Sequence, residues 1–454
     1  MKKILSVLLA AVMVMAMLAG CTSNNPPANS TAPSTNSTAP DNTDDKTNDN
    51  QGNEPAGKQY DGVNLTMWSM WNSDEPQGKV IQEAAAAFEE KTGAKITVEW
   101  KGRSVNEILS ASLESGEKFD IFEDDYQRIA NIYKDYTYDL TDMAKAAGYA
   151  DHSYACFNDT VVEWTTERDE NGNVTKEGFL NSIAEQPQVG GIFYDKDAFT
   201  KAGVTAEPKT WTEFLDVCQK LKDAGIAPIA QDSAYADFAF YHQLVRHLGE
   251  DKITELDTNG GWANDAGAVA AAQEIIDLVN AGYFADGAPD EYPSSQNKIG
   301  FGQAAMIVCA NYVTAEVNGA TGTEINWGLF NYPAVDGGVD NGSAYIGTNS
   351  LAITSYTENA QAAFDFIMFL TSGEMDQKMA DTAAQIPADS RNTAPANLTG
   401  TIETLLSADS PMTWCNGFNA RDDLKTSIKS TIVELFEGKF TTGEDFCKAL
   451  DALY

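Results

Sequence analysis

Histidine is nearly absent from this chain: His152, His242 and His247 are the three in 454 residues. Cysteine is scarce as well, with Cys21, Cys156, Cys218, Cys309, Cys415 and Cys447 widely spaced and no Cys-x-x-Cys pair among them. A His/Cys zinc centre is therefore poorly supported, and no other metal or cofactor is called for. A chain of this length needs no covalent staples, so the five cysteines after Cys21 read as small buried side chains, with a single bridge as the alternative. Basic residues are few: 30 Lys and Arg face 67 Asp and Glu, a formal net charge of -37. A nucleic acid would be repelled by that field. An anionic substrate would need a local basic pocket, and no lysine or arginine cluster along the sequence supplies one. Also missing are a Gly-rich P-loop, a Gly-x-Ser-x-Gly elbow, a His-Glu-x-x-His helix and an internal repeat. Neither an ATPase nor a common hydrolase is suggested.

The N-terminus is informative. Met1-Lys2-Lys3 precedes an apolar run from Ile4 to Leu18, then Ala19-Gly20-Cys21. The run is short for a membrane span, and the basic start suits export. Leu18-Ala19-Gly20-Cys21 resembles a bacterial lipobox. Residues 1–20 are then a signal peptide, and Cys21 is the lipidated first residue of an anchored protein. Acyl chains contribute about 0.8 kcal/mol per buried CH₂, so multiple acylation gives a stable anchor. Residues 21–59 are rich in Thr, Ser, Asn, Pro and Asp, with almost nothing to bury. They read as a disordered tether on the outer face of a membrane, in a monoderm bacterium by preference.

The body spans 60–454. Val63-Asn64-Leu65-Thr66-Met67-Trp68 alternates as a strand. A helix over about 78–91 presents Val80, Ile81, Ala84, Ala85 and Phe88, and Gly93 stops it. Lys95–Trp100 is a second strand. Ser104 and Glu107 form a capping box ahead of a helix burying Ile108, Leu109 and Leu113. Phe119–Phe122 is a third strand. The strand–helix rhythm argues for an α/β layer structure. It resumes at Gly190–Tyr194, followed by a helix that Thr210 caps and Glu213 answers. Further helices are expected at 264–281, capped by Asn264, at 357–370 and at 422–436. Asp169, Asn171 and Asn173 imitate the start of a calcium loop, but the glycine is misplaced and the last glutamate is missing. Asn171-Gly172 reads better as a hairpin turn.

Four blocks in this order resemble family 1 extracellular solute-binding proteins of bacterial ABC importers. They are Met67-Trp68 through Val98; Gly191-Ile192-Phe193-Tyr194-Asp195-Lys196-Asp197 through Pro208-Lys209-Thr210-Trp211 to Ile229; Phe301-Gly302-Gln303-Ala304-Ala305-Met306; and Ala363 to Ser372. Asp195 stands where the family usually has Asn. The resemblance implies a two-lobe, type II periplasmic-binding-protein-like fold with crossing segments and a ligand cleft between the lobes. It implies lobe 1 near 60–175 plus part of 330–400, and lobe 2 near 176–329 plus the C-terminal helices. It also implies a monomeric, non-enzymatic receptor that hands a solute, often a sugar or oligosaccharide, to the transmembrane permease subunits.

Sugars stack C–H faces on aromatic rings and need hydrogen-bonding partners for their hydroxyls. Trp71, Asn72 and Asp74 follow the first strand, where ligands of open α/β sheets bind. Asp124 and Asp125 follow the third. Candidates in the second half are Trp262, Asn311, Tyr312, Trp327, Tyr345, Trp414 and Asn416. Trp68 and Trp211 read as packing residues, and Tyr241 and His242 as part of a helix face. Aromatics mixed with Asn and Asp suit an uncharged polyol better than a phosphate or peptide. Asp124 and Asp125 alone could suggest a hydrolase pair, but that requires a fixed separation in space.

Overall fold

A computed structural model describes residues 58–454, except 104, 399, 402, 403, 405–410, 419 and 422, and except the side chains of 106 and 107. The signal segment, Cys21, the tether up to residue 57 and the Ser104–Glu107 capping box lie outside the described residues.

The first lobe is built as the hydrophobic pattern dictates. Strands β1 (Asn64–Ser69), β2 (Lys95–Trp100) and β3 (Ile121–Asp125) pair in parallel in the order β2-β1-β3. The helix Pro76–Thr92 buries Val80, Ile81, Ala84, Ala85 and Phe88, and Gly93 ends it at φ 87° with its N–H on the Glu89 carbonyl. A left-handed residue there is what glycine tolerates without strain. In the helix Val105–Ser115, Leu109 and Leu113 are buried. Ile108 is not: it is 42% exposed, because the helix turns only its 105–109–113 stripe to Phe119, Phe122 and Tyr133. β4 (Glu167–Arg168) and β5 (Val174–Lys176) form the hairpin expected at Asn171-Gly172. The Asp169 carboxylate accepts the backbone N–H groups of Asn171 and Asn173, both at 2.9 Å.

The second lobe grows from β6 (Ile183–Asp195), a single strand of 13 residues whose last third alone is legible as a strand in the sequence. β7 (Ala227–Ile229), β8 (Ala304–Ala310) and β9 (Trp327–Phe330) belong here. Thr210 and Glu213 close a complete capping box on the helix Trp211–Asp223. The helix Ala266–Asn280 is capped by Asp265 rather than Asn264, since Asn264 sits in a 3₁₀ turn and only the Asp265 carboxylate reaches the Gly267 and Ala268 N–H groups. Later helices run Ala360–Leu370, Gly373–Ala383, Lys425–Phe436 and Gly443–Asp451.

Two antiparallel strands carry the chain between the lobes. β10 (Ala344–Ile353) pairs with β3 on one side and with the first half of β6 on the other. The second half of β6 leaves β10 and pairs with β8 and β9. The whole sheet reads β2-β1-β3-β10-β6-β8-β7, with β9 on β6 and β11 (Pro411–Met412) on β10. This is the α/β two-lobe architecture of type II binding proteins, with β6 and β10 as crossing segments. Gly190 marks the changeover. A Cβ there would lie 2.8 Å from both the Phe238 and Tyr345 rings, so only glycine lets the strand pass.

Candidate functional site

Where the two strands cross, a cavity of about 390 Å³ opens between elements of both lobes. The first lobe supplies Asp125 at the end of β3 and Gln127 and Arg128 from the short helix Tyr126–Asn131. The crossing strands supply Gln188 from β6 and Tyr345 and Asn349 from β10. The second lobe supplies Asp237, Tyr312, the Trp414–Asn416 segment and Lys425 and Lys429. A hollow of about 440 Å³ beside Lys196, Glu207, Lys209 and Asn331 is larger, but its lining comes from second-lobe elements and the strands they pair with.

Asp125 is both the last strand residue and the cap of the next helix. Its Oδ1 accepts the N–H groups of Gln127 and Arg128 at 3.0 and 3.2 Å. Burial pushes its carboxyl up to about 6, against the pull of the Arg128 guanidinium. Asp124 is 2% exposed, and both its oxygens are engaged by Arg128. Burial works against the Arg128 charge, but the bonds and charge of Asp124 more than offset it.

The aromatic side of the cavity is preorganised. Trp414 lies flat on Phe238, with ring centroids 3.9 Å apart and planes at 11°. Tyr345 meets the edges of both rings, and Tyr235 joins Trp414 to Tyr312. Rings held in this edge-to-face and offset manner cost no further ordering when a solute arrives. The Tyr345 hydroxyl donates to Gln188 Oε1 at 3.1 Å. Across the cavity, Asn416 Nδ2 donates to Gln127 Oε1 and links the lobes. Cys415 carries φ 51° between Trp414 and Asn416, an uncommon left-handed residue at the cavity wall.

Of the residues singled out in the sequence, Asp125, Tyr312, Tyr345, Trp414 and Asn416 line this cavity together. Asp124 stands behind Arg128. Tyr345 belongs to β10 rather than to a loop, and Asp124 and Asp125 to β3 rather than to a turn after it. Asn311 is 2% exposed and stitches β8 to β6, its Oδ1 accepting from Val189 N at 2.9 Å and its N–H donating to Val189 O at 3.0 Å. Trp262 and Trp327 are corrections: both are core side chains, with indole N–H groups on Tyr454 Oη and Asn318 Oδ1. Apolar bulk and an internal acceptor hold each away from the cavity. Trp71, Asn72 and Asp74 lie outside its lining. Arg103 covers the Trp71 ring at 4.1 Å and pairs with Glu75, whose carboxylate also accepts the Asn72 N–H. Asn72 and Asp74 are exposed. Trp68 stacks on Phe119 and Trp211 packs between Phe214 and Tyr332, as packing residues should.

Sequence reasoning missed Gln127, Arg128, Gln188, Asp237, Asn349, Lys425 and Lys429. One signal was available: Gln188 is a polar residue in a run that turns apolar at Val189. Lys425 and Lys429 are four apart on one helix face, which is ordinary for a solvated surface.

A family profile described as bacterial extracellular solute-binding protein matches residues 72–375. The chain belongs to that family. YcjN of Escherichia coli (strain K12), an ABC transporter periplasmic-binding protein by name, is 31% identical over 221 residues, 44% of this chain and 46% of that one. The galactooligosaccharide-binding protein of Bacillus subtilis (strain 168) is 24% identical over 202 residues, 43% and 46% of the two chains. The sn-glycerol-3-phosphate-binding periplasmic protein UgpB of Rhizobium meliloti (strain 1021) is 22% identical over 280 residues, 57% and 63%. The chain thus spans about half the length of the first two relatives. Among solved structures, a chitin oligosaccharide binding protein superposes with a TM-score of 0.65 at 22% identity, covering 86% of this chain and 97% of that one.

Proposed function

We propose that this protein captures a sugar or oligosaccharide outside the cell and delivers it to the permease of an ABC importer, without bond chemistry. The observation that carries this reading is the cavity at the crossing strands. Its rings come from the second lobe and β10 and its amides from both lobes and the crossing strands, so a solute held there favours the closed form by contacting both. Trp414 offers a stacking surface for a sugar face, while Gln127, Gln188, Asn349 and Asn416 offer amides to hydroxyls. Asp125 and Tyr312 complete the set. Trp71, with Asn72 and Asp74, would join only if Arg103 moves from the indole. Family membership and the names of the galactooligosaccharide- and chitin oligosaccharide-binding proteins support a carbohydrate. The engagement of both Asp124 oxygens by Arg128 argues against a free carboxyl pair for hydrolysis.

Lobe 1 takes the N-terminal strands, β10 and the helices Ala360–Leu370 and Gly373–Ala383. Lobe 2 takes the rest, including the last two helices. The mature protein is a monomer held at Cys21 on the outer face of the membrane. Calorimetric titration of residues 58–454 with mono- and oligosaccharides, with product analysis alongside, tests the reading. Saturable binding of an intact sugar is the expected result. Turnover of the sugar, or heat with none, overturns it.

A further inference from the structure

The cavity has a chemical asymmetry. Several of its acceptors are engaged internally, while some of its donors have no partner among the described residues. Gln188 Oε1 is held by Tyr345, so Gln188 keeps an NH₂ group with no partner among the described residues; Gln127 Oε1 accepts from Asn416. Asp237 has Oδ1 on the Phe238 N–H and Oδ2 on Lys429, both at 3.1 Å. Asp125 Oδ1 already takes two backbone N–H groups.

Cations converge on the same lining. Arg128, Lys425 and Lys429 stand around it in a chain of net charge -37. Asp124 holds Arg128 through Nε and Nη2, leaving Nη1 without a partner among the described residues. Lys429 is shared with Asp237. Lys425 has no carboxylate partner among the described residues and stands exposed at the cavity wall. Arg128 and Lys425 are nearly three hundred positions apart in the chain, so this basic cluster is invisible in the sequence. A neutral polyol needs acceptors as much as donors. The Gln188 NH₂ group, Arg128 Nη1 and the Lys425 ammonium can only donate, which suits an acceptor-rich group bearing charge.

We propose that the solute is a sugar carrying one negative charge, a carboxylate or a phosphate, whose anionic group is received between Gln188, Arg128 and Lys425. This rests on the carbohydrate reading above and specifies its chemical class. A Lys–carboxylate contact in a partly enclosed site is stronger than a neutral one. The charged sugar should bind at least about tenfold tighter than its neutral counterpart, which corresponds to about 1.4 kcal/mol.

The test is calorimetric titration of residues 58–454 with matched sets: oligosaccharides of glucose, galactose, xylose and mannose, the same chains with one uronic-acid unit, and the corresponding sugar phosphates. The expected result is a clear preference for a charged member, which shrinks as sodium chloride is raised. The uronate and phosphate arms separate the two sources of charge. Lys425→Gln should remove most of the preference for the charged member over its neutral counterpart, while Lys425→Arg should keep it. Circular dichroism checks that each variant is folded. Equal or tighter binding of the neutral sugars overturns the inference and leaves the carbohydrate receptor standing. No binding to any sugar, charged or neutral, overturns both.

Discussion

Trp414 stacks on Phe238 with ring centroids 3.9 Å apart and planes 11° from parallel. Phe238 is fully buried on the helix Ala236–Leu248, so it fixes one face of the indole and leaves the other for the cavity. A rigid aromatic platform loses little entropy on binding. Trp414→Ala should therefore weaken sugar binding by about 1–2 kcal/mol, roughly 5–30-fold, in calorimetry. Phe238→Leu should weaken it less, and thermal melts run in parallel separate platform loss from misfolding.

Asp125 gives binding a pH dependence. Its carboxyl is pushed up to about 6 by burial, with Asp124 also raising it and Arg128 opposing. Lys425, Lys429 and Asp237 stand around the same cavity. Above pH 6 the ionised carboxylate repels an anionic solute; below it the neutral acid does not. Affinity for a charged sugar should therefore rise as pH falls from 7.5 to 5. Asp125→Asn keeps a capping side chain and should flatten the profile. Titrations at three pH values check both.

Glu123 and Glu185 form a buried acidic pair beneath the Trp71 loop. Glu123 Oε2 accepts the Met70 N–H at 3.0 Å, but among the described residues its Oε1 and both oxygens of Glu185 lack a hydrogen-bond donor. Glu185 sits on β6 where the register with β10 shifts. Burial and the charge of Glu123 push Glu185 well above the usual carboxyl range, and burial raises Glu123. A raised folded-state value means that the folded chain holds the proton more tightly than the unfolded one. The resulting stability is present below the unfolded value and is lost as pH rises through the folded one. Glu185→Gln keeps the shape and removes the titration. It should raise Tm by about 2–4 °C at pH 7.5 and by less at pH 5, read by calorimetric melts.

Arg246 is fully buried and makes no ion pair with a carboxylate among the described residues. Its guanidinium instead holds the 331–343 segment, donating to Asn331 Oδ1 at 3.1 Å, to the Tyr332 carbonyl at 3.0 Å and to the Ser343 carbonyl at 2.9 Å. Lysine carries its three donors on one nitrogen and cannot reach acceptors that Arg246 serves separately from Nε, Nη1 and Nη2. Arg246→Lys should cost at least about 3 kcal/mol in urea unfolding, because buried carbonyls are left unpaired. Early proteolytic cleavage near Asp336 and Asp340 should accompany it.

The local elements were legible because their signals are local. The stripe of Val80, Ala84 and Phe88, the Thr210–Glu213 capping box and the Asn171-Gly172 turn are written within a few residues, and all stand in the fold. The order of family blocks from Met67 to Ser372 also carried the two-lobe architecture. Errors arose where a choice depends on what lies opposite. Ile108 looks like Leu109 in sequence, yet only one faces Phe119 and Tyr133. Trp262 and Trp327 look like Trp414, yet their surroundings bury them.

Composition, helix and strand pattern and family were determined by the sequence itself, since each rests on short-range chemistry or on the order of blocks. Tertiary structure alone decided the cavity. Asp125, Gln188, Tyr345, Trp414 and Lys425 are distant along the chain, and no spacing relates them. They meet because β6 and β10 cross between the lobes and because Gly190 lets Phe238 and Tyr345 close against the strand. The same crossing brings Arg128, Lys425 and Lys429 to one cavity in a strongly acidic chain, a convergence that linear charge patterning cannot encode.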